Sequence, residues 1–176
     1  IYTRPDLADT AEPALAGWMG HAAPFAFELD YRPSPGIERM RVGTPPVLQM
    51  AALAAALDVW EGISMHEVRA KSVELSELFI REVENRCPQL KLISPRQPEH
   101  RGSQVSFAFD EGYAAMQALI AAGVIGDFRA PDVMRFGFTP LYIDADDVMK
   151  AVVILDDIMR NKSWDRHEFK QRAAVT

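Results

Sequence analysis

The sequence predicts an α/β fold, and three observations predict it. Two short segments alternate apolar and other residues with the period of a strand, at 104–109 and 133–138. Longer segments around them repeat apolar residues at helical spacing. The texture also changes twice along the 176 residues, near 46 and near 63, which divides the chain into an irregular segment (1–45), a strongly apolar helix (46–62) and an α/β unit (63–176).

The first ~35 residues carry Pro5, Pro13, Gly17, Gly20, Pro24, Pro33, Pro35 and Gly36, the usual punctuation of loops and turns, and only "FAFEL" resembles a strand. Such a segment has little core of its own and is expected to lie against another part of the protein. "VLQMAALAAALDVW", from Val47, is apolar on nearly every face and reads as a buried helix with a large partner surface. Thr44 followed by Pro45 and Pro46 gives its start, with threonine as N-cap and proline at the first helical position.

Ser64 and Glu67 have the spacing of a capping box and open a helix expected to run to about Arg86, with Val68, Leu75, Leu78, Phe79 and Val83 as its apolar stripe. "QVSFAF" places Val105, Phe107 and Phe109 on one strand face. A helix follows over 110–123, ended by Gly123. "VIGDFR" reads as a short strand. "VMRFGF" sets Met134, Phe136 and Phe138 on one face and Arg135 on the other. The last helix begins at Asp144 as cap and carries Val148, Ala151, Val152, Leu155, Ile158 and Met159. A polar tail completes the chain.

Composition narrows the function. A net charge of −6 supplies no basic stripe for nucleic acid or anionic membrane. No apolar run approaches the ~20 residues that span a bilayer. The single cysteine, Cys87, can form no internal disulfide, and a reducing cytoplasm fits best. His21, His66, His100 and His167 lack metal-ligand spacing, so no metal is expected. Cys87, before Pro88 at a helix end, reads as a packing residue rather than an activated thiolate.

Three residues stand out chemically. The Thr44 hydroxyl lies at the positive end of a helix, where an anion is favoured, although two prolines remove two N–H donors there. Trp18, between glycines, has an indole N–H that can donate to a phosphate or simply pack. Arg135 is either an edge residue reaching outward or a partly buried fork for a carboxylate. Asp127 and Arg129, two strand positions apart, can pair with each other.

"LAGWMGH", "GIERMRVGTPPVLQMAALAAALDVW" and "GVIGDFRAPDVMRFGFTPLY" together resemble the kynureninase family of fold-type I enzymes dependent on pyridoxal phosphate (PLP), relatives of class V aminotransferases and cysteine desulfurases. The resemblance runs from about Leu15 to the C-terminus. It implies the end of a large PLP-binding domain followed by a small α/β domain with a mainly antiparallel sheet packed by helices. It also implies that Trp18 and Thr44 hold the cofactor phosphate, with Thr44 reaching the active site of a neighbouring subunit in a homodimer. Arg135 would bind the substrate α-carboxylate, and Gly43, Thr44 and Met19 would lie near the substrate ring. Small residues there resemble bacterial enzymes that favour kynurenine over 3-hydroxykynurenine.

The implied reaction is hydrolysis of L-kynurenine, or its 3-hydroxy form, to anthranilate or 3-hydroxyanthranilate and L-alanine in tryptophan catabolism. The family's Schiff-base lysine lies upstream of the tryptophan block, but Lys71, Lys91, Lys150, Lys162 and Lys170 are all downstream of Trp18. With its non-methionine start, the chain is expected to be the C-terminal portion of such an enzyme, inactive alone and completed by an N-terminal portion. A different PLP enzyme, such as a desulfurase, and a non-catalytic binding or dimerisation module are the alternatives.

Overall fold

The computed structural model describes residues 1–171. The chain divides into two compact units, 1–61 and 62–176.

The first unit has little regular structure. Helix α1 (Pro5–Ala8) is a single turn, Trp18–Gly20 and Gly36–Met40 form 3₁₀ turns, and helix α2 spans Val47–Asp58. Two glycines let the two 3₁₀ turns pack backbone against backbone. A Cβ on Gly17 would stand 1.8 Å from the Val42 carbonyl oxygen, and one on Gly20 would stand 2.6 and 2.7 Å from the carbonyl oxygens of Arg41 and Arg39. Only residues without side chains permit this approach. His21 is buried and pins the following loop: its Nδ1 accepts from the Ala23 N–H at 2.9 Å, and its Nε2 lies 3.1 Å from the Asp30 carbonyl oxygen. An accepting Nδ1 places the proton on Nε2 in the neutral ring. Arg39 ties the 3₁₀ turn to both sides, donating to the carbonyl oxygens of Ser34 (3.0 Å) and Asp9.

Three expectations for this unit need correction. "FAFEL" is no strand: the Ala26 N–H closes a turn onto the Ala23 carbonyl at 3.1 Å, and Phe25, Phe27 and Leu29 are exposed. No neighbouring strand offers a ladder to that segment. Thr44 does not cap α2, because the helix begins two residues later, with Pro46 as N-cap and no side-chain bond at the terminus. Both prolines therefore precede the first helical residue. The third concerns the cover of α2, which this unit does not itself supply: every residue from Thr44 to Gly62 is exposed. A segment this poor in sheet and helix has no surface broad enough to cover an all-round apolar helix.

The second unit is the α/β part. Helix α3 (Met65–Arg86) leads to a four-stranded sheet made of β1 (Lys91–Leu92), β2 (Gln104–Ala108), β3 (Asp127–Arg129) and β4 (Val133–Gly137). The spatial order is β1-β2-β4-β3 and every pairing is antiparallel. Helices α4 (Gly112–Ala121), α5 (Ala145–Arg160) and the short α6 (His167–Lys170) complete it.

Alternation in the strands decides which sheet face is covered. Val105, Phe107, Met134 and Phe136 are buried among Leu75, Phe79, Ile80 and Val83 of α3, residues of α4, and Val148, Val152 and Leu155 of α5. Phe79 sits at the centre, with ring centroids 6.1, 4.9 and 5.3 Å from Phe107, Phe136 and Phe138. Such clusters dominate the energy of a small core.

The helix ends follow their sequence signals unequally. Gly123, at φ +89°, closes α4 in a Schellman motif, with its N–H on the Ile120 carbonyl and the Val124 N–H on that of Leu119. Asp144 caps α5 in a reciprocal box: its carboxylate accepts from the Asp147 N–H at 3.0 Å, and its own N–H donates to the Asp147 carboxylate at 3.4 Å. Ser64 is the N-cap of α3 but makes no side-chain bond. The expected Ser64–Glu67 box is absent, and the first turn, Met65 to Glu67, is exposed, where helix-start N–H groups need no protein partner. The "VIGDFR" strand is shorter than expected, pairing only from Asp127.

Candidate functional site

Each unit carries its own group of candidate residues. In the first, the 3₁₀ turn Trp18–Gly20 and the segment leading into α2 are held together by the Gly17 and Gly20 contacts. Gly43 thereby comes beside the tryptophan, and a Cβ built on it would lie 3.9 Å from the indole Nε1. Apart from its chain neighbours nothing else stands within 4 Å of that position, so the space beside Gly43 is open. Trp18 is 47% exposed and its N–H makes no hydrogen bond among the described residues. Met19, the next residue of the turn, is half-buried.

Thr44 follows directly. Freed from capping, its hydroxyl is not consumed by the helix, and the terminus of α2 keeps the N–H groups of Val47, Leu48 and Gln49, because the first intrahelical bond is Met50 N–H to the Pro46 carbonyl at 3.0 Å. The prolines cost fewer donors than their position in the sequence suggests. The indole N–H of Trp18, the Thr44 hydroxyl and the first N–H groups of α2 are each left without a partner among the described residues, and no acidic residue stands in the first turn of α2, so each is a donor of the kind a phosphate takes.

A cavity of about 320 Å³ is lined by Trp18, His21, Phe27, Glu28 and Tyr31 among others. Glu28 is bidentate with Arg32 at 2.7 and 2.8 Å, and that hydrogen-bonded guanidinium holds its carboxyl below the usual carboxylate range. The pair neutralises itself.

In the second unit Arg135 stands on the sheet face opposite the aromatic core. Antiparallel register puts it directly across from Asp127 on β3 and from Ser106 on β2. Asp127 Oδ2 accepts from Arg135 Nη2, while Oδ1 takes Arg129 Nη1 at 3.2 Å. The expected Asp127–Arg129 pair therefore forms, but the same carboxylate also serves Arg135. Two guanidinium groups against one carboxylate leave one positive charge. The side chain of Arg135 is 28% exposed, yet its Nε is buried and has no partner. An orphaned buried donor of this kind calls for an acceptor from elsewhere.

Sequence reasoning missed Arg101. Its side chain is only 2% exposed; it pairs with Glu77, donates to Ser76 Oγ at 3.3 Å and holds the carbonyl oxygens of Pro95 and Arg96 at 3.1 and 2.6 Å. Ser72, bonded to Ser103 Oγ at 2.7 Å, continues this polar seam. The signal lay in two serines at i, i+4 on the apolar stripe of α3. Arg101 fastens the 94–103 loop to that helix and serves structure.

Other candidates fall away. Cys87 is buried in the core, and burial pushes its thiol up to about 11. Among the described residues no cluster of histidine, cysteine or acidic side chains could hold a metal, and no helix is long and apolar enough to cross a membrane. A cavity of about 350 Å³ between α5 and the core, lined by Phe79, Phe136, Phe138 and Val148 among others, includes none of the candidate residues.

The model of the family described as "Kynureninase C-terminal domain" matches residues 68–155, half of the chain, and includes Asp127 and Arg135. The chain belongs to the kynureninase C-terminal domain family. It is 49% identical over 167 residues to a kynureninase of Burkholderia mallei strain ATCC 23344, covering 94% of this chain and 40% of that one. A kynureninase of Pseudomonas fluorescens is 46% identical over 178 residues, covering all of this chain and 43% of the relative. The chain thus spans about two fifths of the length of these kynureninases.

Solved structures confirm the fold. A cysteine desulfurase of Thermococcus onnurineus NA1 superposes with a TM-score of 0.74 at 18% identity, over 91% of this chain and 42% of that one. The cystine C-S lyase C-DES, in complex with cysteine persulfide, gives 0.71 at 24% identity over 89% of this chain and 41% of that one. A C-DES variant with glycine covalently linked to its PLP cofactor gives 0.69 at 23% identity, over 89% and 40%. The chain shares its fold with these proteins over about nine tenths of its length.

Proposed function

We propose that this chain is the C-terminal part of a PLP-dependent kynureninase that hydrolyses L-kynurenine to anthranilate and L-alanine as a cytoplasmic homodimer. The observation that carries this reading is the match to the family across the strand hairpin bearing Arg135, together with the incomplete hydrogen bonding of that arginine.

The donor set of the first unit fits a cofactor phosphate. Trp18 would donate its indole N–H and Thr44 its hydroxyl, with the α2 terminus adding N–H groups and the positive end of its dipole. When bound, PLP supplies the electron sink for breaking a carbon–carbon bond, and the lysine that carries it belongs to sequence outside this chain. Arg135 holds the substrate α-carboxylate and fixes its orientation, without moving protons itself. Gly43 and Met19 border the substrate ring, and the open space beside Gly43 favours kynurenine or its 3-hydroxy form according to what fills it. Helix α2, apolar on every face, packs against the remainder of the enzyme or the second subunit.

The burial of Cys87 speaks against a desulfurase, which needs an accessible thiolate. The test is Arg135→Lys in the complete enzyme, with anthranilate release as the readout. Lysine cannot reproduce a two-pronged contact, so KM for kynurenine rises by roughly tenfold or more. Unchanged KM and turnover would remove the carboxylate role.

A further inference from the structure

We infer that Asp127 and Arg129 together act as a positioning device that keeps one edge of Arg135 half open for a carboxylate ligand. The inference rests on the carboxylate role proposed above for Arg135. It adds two residues and a way in which they act.

Nε and Nη2 lie on the same edge of a guanidinium, and a carboxylate takes that edge with both oxygens. The chain contains two examples of the completed contact. Arg4 holds Asp6 through Nε at 2.6 Å and Nη2 at 2.9 Å, and Arg32 holds Glu28 through the same two atoms at 2.7 and 2.8 Å. Arg135 departs from this pattern: its Nη2 donates to Asp127 Oδ2, but its Nε is buried and unpartnered. So does the structural Arg101, whose Nη2 donates to Glu77 while its Nε is likewise buried and unpartnered; what sets Arg135 apart is the second arginine on its carboxylate partner.

What prevents Asp127 from closing the edge is its second oxygen, which Arg129 Nη1 holds at 3.2 Å. Arg129 lies two residues along the same strand, so both arginines flank one carboxylate on one sheet face. Three consequences follow from that arrangement. The Arg135 side chain is fixed through Nη2, the buried Nε stays in need of an acceptor, and the cluster keeps one uncompensated positive charge. A neutral acceptor could meet the Nε–H but would leave the charge uncompensated, whereas a carboxylate satisfies both needs together. The device therefore selects for charge as well as for place.

The test uses the complete enzyme with L-kynurenine, comparing wild type, Asp127→Ala and Arg129→Gln, with Arg135→Lys in parallel. Asp127→Ala frees Arg135 to move, and KM is expected to rise about tenfold while kcat stays within about twofold. Arg129→Gln releases the second oxygen of Asp127 to close on Nε, so KM rises here too, by about threefold or more. Arg129 is exposed, so this variant is expected to fold even if Asp127→Ala does not.

A second readout is the inhibition constant of a substrate-analogue carboxylate against that of its primary amide. Both variants should lose affinity for the acid and little for the amide. A fall in KM on Asp127→Ala would mean that Asp127 competes with the ligand, and the inference fails. It fails equally if KM is unchanged in both variants, or if kcat alone falls. Should Arg135→Lys leave KM unaltered, the underlying carboxylate role is wrong. If Arg135→Lys raises KM and the other two do not, only the positioning role is.

Discussion

Replacing Gly17 by alanine would separate the tryptophan block from the segment that carries Gly43 and Thr44. The backbone of Gly17 is extended, at φ −147° and ψ 165°, so any residue could adopt it. The obstacle is space. An added Cβ would stand 1.8 Å from the Val42 carbonyl oxygen, 2.5 Å from its carbon and 2.6 Å from its Cα. A carbon settles against a carbonyl oxygen at about 3.3 Å, so the two segments must part by roughly 1.5 Å. Backbone cannot rotate away as a side chain tip can.

Overpacking of this kind costs about 1–3 kcal/mol. Because Gly43 follows Val42 directly, the shift also moves Gly43 and Thr44 off Trp18. Losing one hydrogen bond to the charged phosphate costs about 1.5–3 kcal/mol, so PLP affinity should fall by about tenfold to a hundredfold. Titration of the complete apoenzyme with PLP, followed by absorbance, measures it. Gly102→Ala is the control, since a Cβ there meets nothing within 4 Å. If Gly17→Ala bound PLP as tightly as Gly102→Ala, the phosphate role of this junction would be refuted.

Two further outcomes follow from the second unit. Burial pushes the Cys87 thiol up to about 11 and no part of the residue is exposed, so the Cys87 peptide should stay unlabelled by a thiol reagent near neutral pH and label rapidly in denaturant; prompt labelling of native protein would contradict its core position. The Asp147 N–H bonded to Asp144 holds the Asp144 carboxyl below its ordinary range. A carboxyl depressed in the folded state stabilises above its unfolded pKa and loses that contribution as pH falls through the folded one. Asp144→Ala should therefore lower Tm by a few degrees at neutral pH, with the difference from wild type closing on acidification. A difference independent of pH would exclude the charged cap.

Patterns whose meaning lies within one element were legible in the sequence. Val105 and Phe107 alternate as a half-buried strand must, and both are in the core. Gly123 and Asp144 end and begin helices through bonds to residues within five positions. Arg135 was legible as a residue facing away from the aromatics, and Asp127–Arg129 as a local pair. The pairing of Asp127 with Arg135 was not. It depends on the β3–β4 register, which no local pattern specifies for a strand of three residues. Arg101 was hidden for the same reason, since its partners Ser76 and Glu77 come from a helix some 25 residues away in sequence.

The start of α2 illustrates how a sound local rule can mislead about function. Threonine before two prolines satisfies every preference for a helix N-terminus, and a capping role would consume the hydroxyl while the prolines removed donors. A start two residues later reverses both effects. Pro45 and Pro46 lie ahead of the helix, where each has no N–H to lose from the first turn, and Val47, Leu48 and Gln49 keep theirs. The prolines still restrict the backbone, which orders the segment between Gly43 and the helix at little entropic cost. Thr44 then makes no capping bond to the helix. Its hydroxyl is therefore left available for the phosphate contact proposed above.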